Sequence, residues 1–187
     1  MKITELEVPG VFLLEPRYFE DSRGYYCESY SKRTLAELGL KADFVQDGHS
    51  LSREKGILRG IHFQRFPHSQ TKLVRCTRGR ILDVAVDLRK GSKYYTKWVA
   101  VELSEENRRQ LWIPRGFGHA FMTLSENCEL QYKVDDFYCP QEDRSVAWND
   151  PQIAVDWLGL AEPTLSEKDR KAPLLKDSDI NFTIENC

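Results

Sequence analysis

Between residues 72 and 135 the chain alternates apolar and polar side chains in short runs closed by turn formers, a period of two that belongs to strands. Lys72-Leu73-Val74-Arg75-Cys76-Thr77 alternates, and Arg78-Gly79-Arg80 reads as a turn. A strongly apolar strand follows over 81–88, with Asp83 and Asp87 on one face. Further strands are expected over 95–103, 110–113, 119–124 and 129–135. Glu105-Glu106-Asn107, Pro114-Arg115-Gly116 and Ser125-Glu126-Asn127 are the loops between them. Many short strands with few helices predict an all-β sandwich or barrel, a jelly roll foremost. One helix is expected over 31–38 with Gly39 as its stop, and a second from near Ser166. No internal repeat is visible, and 187 residues suit a single domain over 1–187 with a helical segment from about 166.

The formal net charge is −2, so nothing favours a nucleic-acid polymer as partner; any anion must be held by local Arg and Lys. Residues 1–10 carry Lys2, Glu5 and Glu7 and lack the apolar run of a signal peptide. No stretch is long and apolar enough to span a membrane. The five cysteines are widely spread and form no CxxC pair, which suggests neither a zinc knuckle nor a disulfide framework. A reducing cytoplasm is the expected location.

Four histidines are present, His49, His62, His68 and His119. His62 sits in the apolar run Gly56-Ile57-Leu58-Arg59-Gly60-Ile61-His62-Phe63-Gln64, where a lone histidine is more often a hydrogen-bonded core residue than a catalyst. Arg59, three residues earlier, points the other way, because a buried arginine usually meets an anion. Strict alternation sets Arg59 and His62 on opposite faces, so a shared pocket requires an irregularity, for which Gly60 is the candidate. His119, in Ile113-Pro114-Arg115-Gly116-Phe117-Gly118-His119-Ala120-Phe121, is an even choice between packing and chemistry. Lys72 shares parity with Val74 and Cys76, and Tyr132 with Cys128, Leu130 and Val134, so both polar heads are expected on an inward side. Snorkelling of the lysine and core packing of the tyrosine are the plain alternatives. Gln64 and Phe121 stand two residues after the histidines, where a metal-binding barrel would place a second one, so no metal centre is expected. No GxGxxG opens a helix after a strand, which disfavours a nicotinamide cofactor.

Seven strings, taken in order, resemble the dTDP-4-dehydrorhamnose 3,5-epimerase family. They are Phe19-Glu20-Asp21-Ser22-Arg23-Gly24, the Gly56–Gln64 and Ile113–Phe121 runs above, Gln70-Thr71-Lys72-Leu73-Val74, Asp83-Val84-Ala85-Val86-Asp87-Leu88-Arg89, Trp148-Asn149-Asp150-Pro151 and Leu165-Ser166-Glu167-Lys168-Asp169. The resemblance runs to about residue 175 and implies a cupin-like jelly-roll barrel with a few short helices. It also implies a homodimer whose N-terminal strands reach the neighbouring subunit, a nucleotide-sugar substrate and no cofactor. By the same resemblance His62 is the general base supported by Asp169, Tyr132 the acid on the opposite face of the sugar, and Lys72 the cation at the enolate oxygen. His119 and Arg59 line the pocket, Arg23 and Lys168 hold the nucleotide portion, Glu28 and Gln46 meet the base or its sugar, and Tyr138 makes an aromatic contact. Two positions depart from the family pattern: Gly48 stands where Asn is common, and Asp143 where Glu is usual, both at places associated with substrate contact.

These residue types suit the reaction. Removing a proton beside a ketone places charge on the carbonyl oxygen, where a fixed cation lowers the barrier. A His–Asp pair is a base whose imidazolium is stabilised once formed, and inversion needs a donor on the other face. The expected activity is epimerisation at C3 and C5 of dTDP-4-dehydro-6-deoxy-D-glucose to dTDP-4-dehydro-L-rhamnose. Alternatives are inversion at one carbon only, another nucleotide-linked keto sugar such as a GDP-heptose, a nucleotide-sugar binding module without chemistry, and a metal-dependent cupin oxygenase.

Overall fold

The computed structural model describes residues 1–187. Its strands are β1 (Lys2–Glu5), β2 (Phe12–Glu15), β3 (Tyr18–Asp21), β4 (Gly24–Cys27), β5 (Gln46–Ser52), β6 (Leu58–Gln64) and β7 (Lys72–Arg78). They continue with β8 (Arg80–Asp87), β9 (Trp98–Ser104), β10 (Gln110–Ile113), β11 (Phe117–Thr123), β12 (Cys128–Val134) and β13 (Asp143–Ser145). Two short helices, α1 (Lys32–Glu37) and α2 (Glu167–Arg170), and a 3₁₀ turn over Leu175–Asp177 complete it. One sheet runs β1-β2-β10-β7-β12-β5, a second β13-β6-β11-β8-β9, and β3–β4 form a separate hairpin. All pairings between these strands are antiparallel, and the two large sheets face each other as a cupin-like jelly roll.

Alternation sorts the side chains into three layers. Val74 and Cys76 of β7, Leu130 of β12, Ile81 and Ala85 of β8, and Phe117 and Phe121 of β11 meet between the sheets. The opposite parity of β6, β8 and β11, including Ile61, Phe63, Val84, Val86 and Met122, packs outward under Trp157, Leu175, Ile180 and Phe182 of the C-terminal segment. Leu14, Leu73 and Trp112 form the outer face of the larger sheet and are covered by Leu35 of α1 and by Leu40. Each such fully buried side chain contributes roughly 1.5–3 kcal/mol relative to exposure. Cys76 belongs to the inter-sheet core, and burial pushes its thiol up to about 12, so it behaves there as a small apolar group.

Ser31 caps α1 by accepting the Thr34 amide at 3.2 Å, and Gly39 ends it at φ 87°, within a residue or so of the expected span. The helix expected from Ser166 is a single turn: Lys171 already closes it, and Pro173 follows. The strand expected from residue 95 begins at Trp98, because the chain still turns at Thr96, whose φ is 69°.

Gly60 carries the irregularity that the spacing of Arg59 and His62 demands. Across from it the register slips, so that His119 faces His62 while Phe121 faces Arg59. Three residue steps on β6 thus answer two on β11, a bulge that turns both Arg59 and His62 to the inward face. Gly60 lies at φ 130°, and a Cβ there would stand 2.4 Å from Ala120 Cβ and 2.8 Å from the His119 carbonyl oxygen. Gly60→Ala is therefore expected to cost about 2–4 kcal/mol of folding stability, from backbone strain plus overpacking. A urea-denaturation midpoint unchanged from the parent would show that the bulge does not need a glycine.

Candidate active site

Both sheets send polar side chains into one end of the space between them. From the smaller sheet come His62 and Gln64 of β6 and Asp143 of β13; from the larger come Lys72 of β7, Tyr132 of β12 and Gln46 of β5. Gln70, Tyr138 and Lys168 close the rim of a cavity of about 200 Å³. That volume lies below the ~300–1,000 Å³ of pockets for drug-sized ligands. A ligand the size of one six-membered ring fits it, and anything larger attached to that ring has to lie outside along the mouth.

His62 is the most constrained member. Its Nε2 lies 2.5 Å from Asp169 Oδ1, and its side chain retains 31 % exposure against 2 % for Asp169. One ring nitrogen is thus engaged and the other is left toward the cavity. Asp169 is placed by α2, where Ser166 accepts the Asp169 amide at 3.1 Å and donates its hydroxyl to Asp169 Oδ2 at 2.9 Å. Burial alone pushes the Asp169 carboxyl up. The His62 hydrogen bond and charge, the Ser166 hydroxyl and the nearby Lys168 ammonium outweigh it and hold the carboxyl below its usual value. An ionised Asp169 is what a histidine base needs behind it. The Ser-x-x-Asp spacing at the helix start is the capping signal in the sequence that marks Ser166.

Lys72 faces His62 from the opposite sheet, with its Nζ 5.9 Å from the centroid of the Tyr132 ring. Its ammonium makes no hydrogen bond within the chain. Burial lowers it to about 8, against a smaller upward pull from Asp143 and Asp83 and a downward push from Lys168. An unpaired amine in a closing cavity can meet an anion that arrives with, or forms on, a ligand.

The rim is tied together by Asp143. Its Oδ2 accepts Lys168 Nζ at 2.6 Å and the Tyr138 hydroxyl at 3.0 Å, and that bond raises the Tyr138 phenol above its usual range. Gln64, only 4 % exposed, donates to the His68 and Phe137 carbonyls and accepts the Cys139 amide at 2.7 Å. Its amide therefore anchors the 137–139 loop that presents Tyr138. Gln46 completes the rim by accepting the Tyr138 amide at 3.1 Å.

Behind the cavity lies a second His–Asp pair. His119 Nε2 is 2.7 Å from Asp83 Oδ1, both are buried, and Asp83 Oδ2 has no donor of its own. The inward parity of Asp83 on β8, opposite the histidine strand, is the signal that places it here.

Eight of the twelve residues singled out from the sequence converge on the cavity or its back wall: His62, Lys72, Tyr132, Asp169, Gln46, Tyr138, Asp143 and Lys168. His119 adjoins His62 from behind. The other three stand apart. Arg59 faces inward, yet its guanidinium is spent on Ser52 Oγ and the Leu51 carbonyl, both at 3.2 Å. Glu28 accepts the Thr34 hydroxyl beside α1. Arg23 sits at the tip of the β3–β4 hairpin, paired with Asp21. That hairpin exposes Phe19, Tyr25 and Tyr26, each more than half accessible. A larger hollow of about 290 Å³ opens on the other face of the six-stranded sheet, but its Arg75, Lys133 and His49 are already engaged by Gln131, Asp47 and Glu129. No cluster of three or more His, Cys, Asp or Glu is placed to hold a metal ion.

Residues 5–177 match the sequence profile of the dTDP-4-dehydrorhamnose 3,5-epimerases. The chain belongs to this family. The dTDP-4-dehydrorhamnose 3,5-epimerase of Salmonella typhimurium is 51 % identical over 176 residues, covering 94 % of this chain and 96 % of that one. The Pseudomonas aeruginosa enzyme of the same name is 49 % identical, covering 96 % and 98 %. Among solved structures, the Legionella pneumophila 3,5-epimerase in complex with dTDP-4-keto-L-rhamnose superposes with a TM-score of 0.91 at 41 % identity, covering 95 % of this chain and 94 % of that one. Family membership thus agrees with a cavity built for one sugar ring.

Proposed function

We propose that this epimerase-family chain inverts C3 and C5 of dTDP-4-dehydro-6-deoxy-D-glucose, giving dTDP-4-dehydro-L-rhamnose, with no cofactor. The carrying observation is the His62–Asp169 pair facing Lys72 and Tyr132 across one sugar-sized cavity. His62 takes the proton from a carbon flanking the C4 ketone, and Asp169 stabilises the imidazolium. The electron pair moves onto the ketone oxygen, where the Lys72 ammonium meets the developing charge. Tyr132 then returns a proton on the opposite face; its phenolate is reprotonated from solvent and the His62 imidazolium gives its proton up to solvent, which restores both groups for the next inversion. His119, held by Asp83, stands behind His62 and backs the pocket without lining it.

The nucleotide lies across the mouth, with Lys168, Gln46 and Tyr138 along its path. Arg23, Glu28 and the exposed hairpin aromatics do not line this cavity within one chain. We infer a homodimer in which the β3–β4 hairpin crosses to the neighbour. Five unpaired cysteines fit a reducing compartment, and we place the enzyme in the cytoplasm.

Proton NMR of the dTDP-linked keto sugar in D₂O, with chelator-treated protein, tests this reading. Deuterium at both C3 and C5 is expected. Entry at one carbon would make the protein a mono-epimerase, and tight binding without exchange would make it a binding module.

Tyr132→Phe separates the two faces. Deuterium is expected to enter at one or more carbons at a rate within about tenfold of the parent, while inverted product falls by about 10²-fold or more, the usual worth of a positioned acid. Equal loss of every exchange step would remove Tyr132 as the donor.

A further inference from the structure

Gly48, one of the two positions that depart from the family pattern, lies against Tyr132. Gly48 and Tyr132 are direct partners in the β5–β12 register, both on the inward face. A Cβ at residue 48 would stand 2.2 Å from Tyr132 Cζ, 2.5 Å from its hydroxyl oxygen and 2.7 Å from Cε1. The backbone at Gly48 lies outside the left-handed region, so no conformational demand calls for glycine. What glycine supplies there is space, and the phenol ring fills it. The Tyr132 hydroxyl makes no hydrogen bond within the chain, so the ring's position is set by packing against β5 on one side and by the Lys72 amine, 5.9 Å from the ring centroid, on another.

We propose that Gly48 is a positioning residue for Tyr132: the missing side chain is the seat of the phenol ring, and it sets the donor's distance from the sugar and hence how often a proton returns on the inverted face. This rests on the epimerase reading and on Tyr132 as its acid. Any side chain at residue 48 would take the volume that the ring occupies here.

The physical expectation follows from contact distances. Non-bonded carbons rest at about 3.5–4.0 Å, so a methyl group at residue 48 must drive the ring more than about 1 Å into the cavity. A misplacement of about 1 Å costs roughly 10²-fold in a step that depends on alignment. The effect should fall on proton delivery and spare abstraction by His62, which lies on the other sheet.

The test compares the parent, Gly48→Ala, Tyr132→Phe and the double variant by NMR in D₂O with the dTDP-linked 4-keto-6-deoxy sugar. For Gly48→Ala, inverted product is expected to fall about 10–100-fold while deuterium entry without inversion changes less than about threefold. In the Tyr132→Phe background the same substitution should change nothing further. Equal loss of exchange and inversion, an unchanged ratio, or full additivity with Tyr132→Phe would each overturn the proposal. A crystal structure of Gly48→Ala checks the seat without any turnover: a displaced ring supports it, and an unmoved ring sinks it. Failure of the parent to exchange deuterium would instead count against the epimerase reading, and the ring position would still decide the seat. Should Gly48→Ala not fold, Gly48→Ala/Tyr132→Ala removes the crowding and is expected to fold; its failure to do so would also overturn the proposal.

Discussion

His62→Ala is expected to reduce deuterium exchange at both ring carbons by about 10²–10⁴-fold while nucleotide-sugar affinity changes by no more than about threefold. The range is the usual worth of a positioned base. The reasoning starts from the geometry: no other imidazole lines the cavity, and His119 is engaged with Asp83 on the back wall. Affinity survives because the polar rim of Gln46, Asp143 and Lys168 is untouched. Asp169→Asn should act through the same step. It keeps the size of the side chain but removes the charge that favours the imidazolium, so exchange should fall with binding again intact. Calorimetric titration of the nucleoside diphosphate, run beside the NMR exchange assay, separates the two quantities. Near-parental exchange in His62→Ala would remove it as the base.

Lys72→Met is expected to lower kcat/KM by about 10²–10³-fold, the usual effect of removing one preorganised group from a developing oxyanion. Methionine keeps the length and apolar stem and deletes only the charge. Folding stability should hold or rise, because the half-buried ammonium is desolvated without a hydrogen-bonding partner and its loss relieves that cost. Loss of activity and of stability together would mark Lys72 as structural. The parent's pH dependence offers an independent check. Burial brings Lys72 from 10.5 to about 8, so the protonated form that meets the enolate declines as pH rises through about 8, and activity should decline with it. Stability should move the other way. Below about 8 the folded state carries the full cost of the buried charge; between about 8 and 10.5 the unfolded chain binds more protons than the folded one, and that cost is relieved with rising pH. Activity falling while the denaturation midpoint rises over the same window is a signature that general alkaline unfolding cannot produce. In Lys72→Met the residual activity should lose this basic limb.

The strands β7 and β12 are legible from their alternation, and β8, β10 and β11 as short apolar runs bounded by turn formers, buried on both faces; the inward directions of Lys72 and Tyr132 follow from parity alone. The α1 cap and its glycine stop were legible for the same local reason. β5 escaped notice because its inward residues Gln46, Gly48, Ser50 and Ser52 include no apolar side chain, and a strand facing a polar cavity lacks the pattern that betrays strands. β1 to β4 and β13, at three or four residues each, bury at most one residue apiece and so carry no apolar signal, whereas the equally short β10 buries all four. The need for a bulge between Arg59 and His62 could be stated from spacing, but only the sheet shows that Gly60 provides it, through a slip against β11. The pairing of His62 with Asp169, 107 residues apart, was foreseen through family resemblance; residue order alone carries no such information. What no local pattern contains is distance across the fold. The engagement of Arg59 by Ser52, the partnerless ammonium of Lys72 and the seat of Tyr132 on Gly48 arise because two sheets, each specified by its own alternation, close over one another. Local chemistry determined which way each side chain points, and the packing of the sheets decided which of them meet.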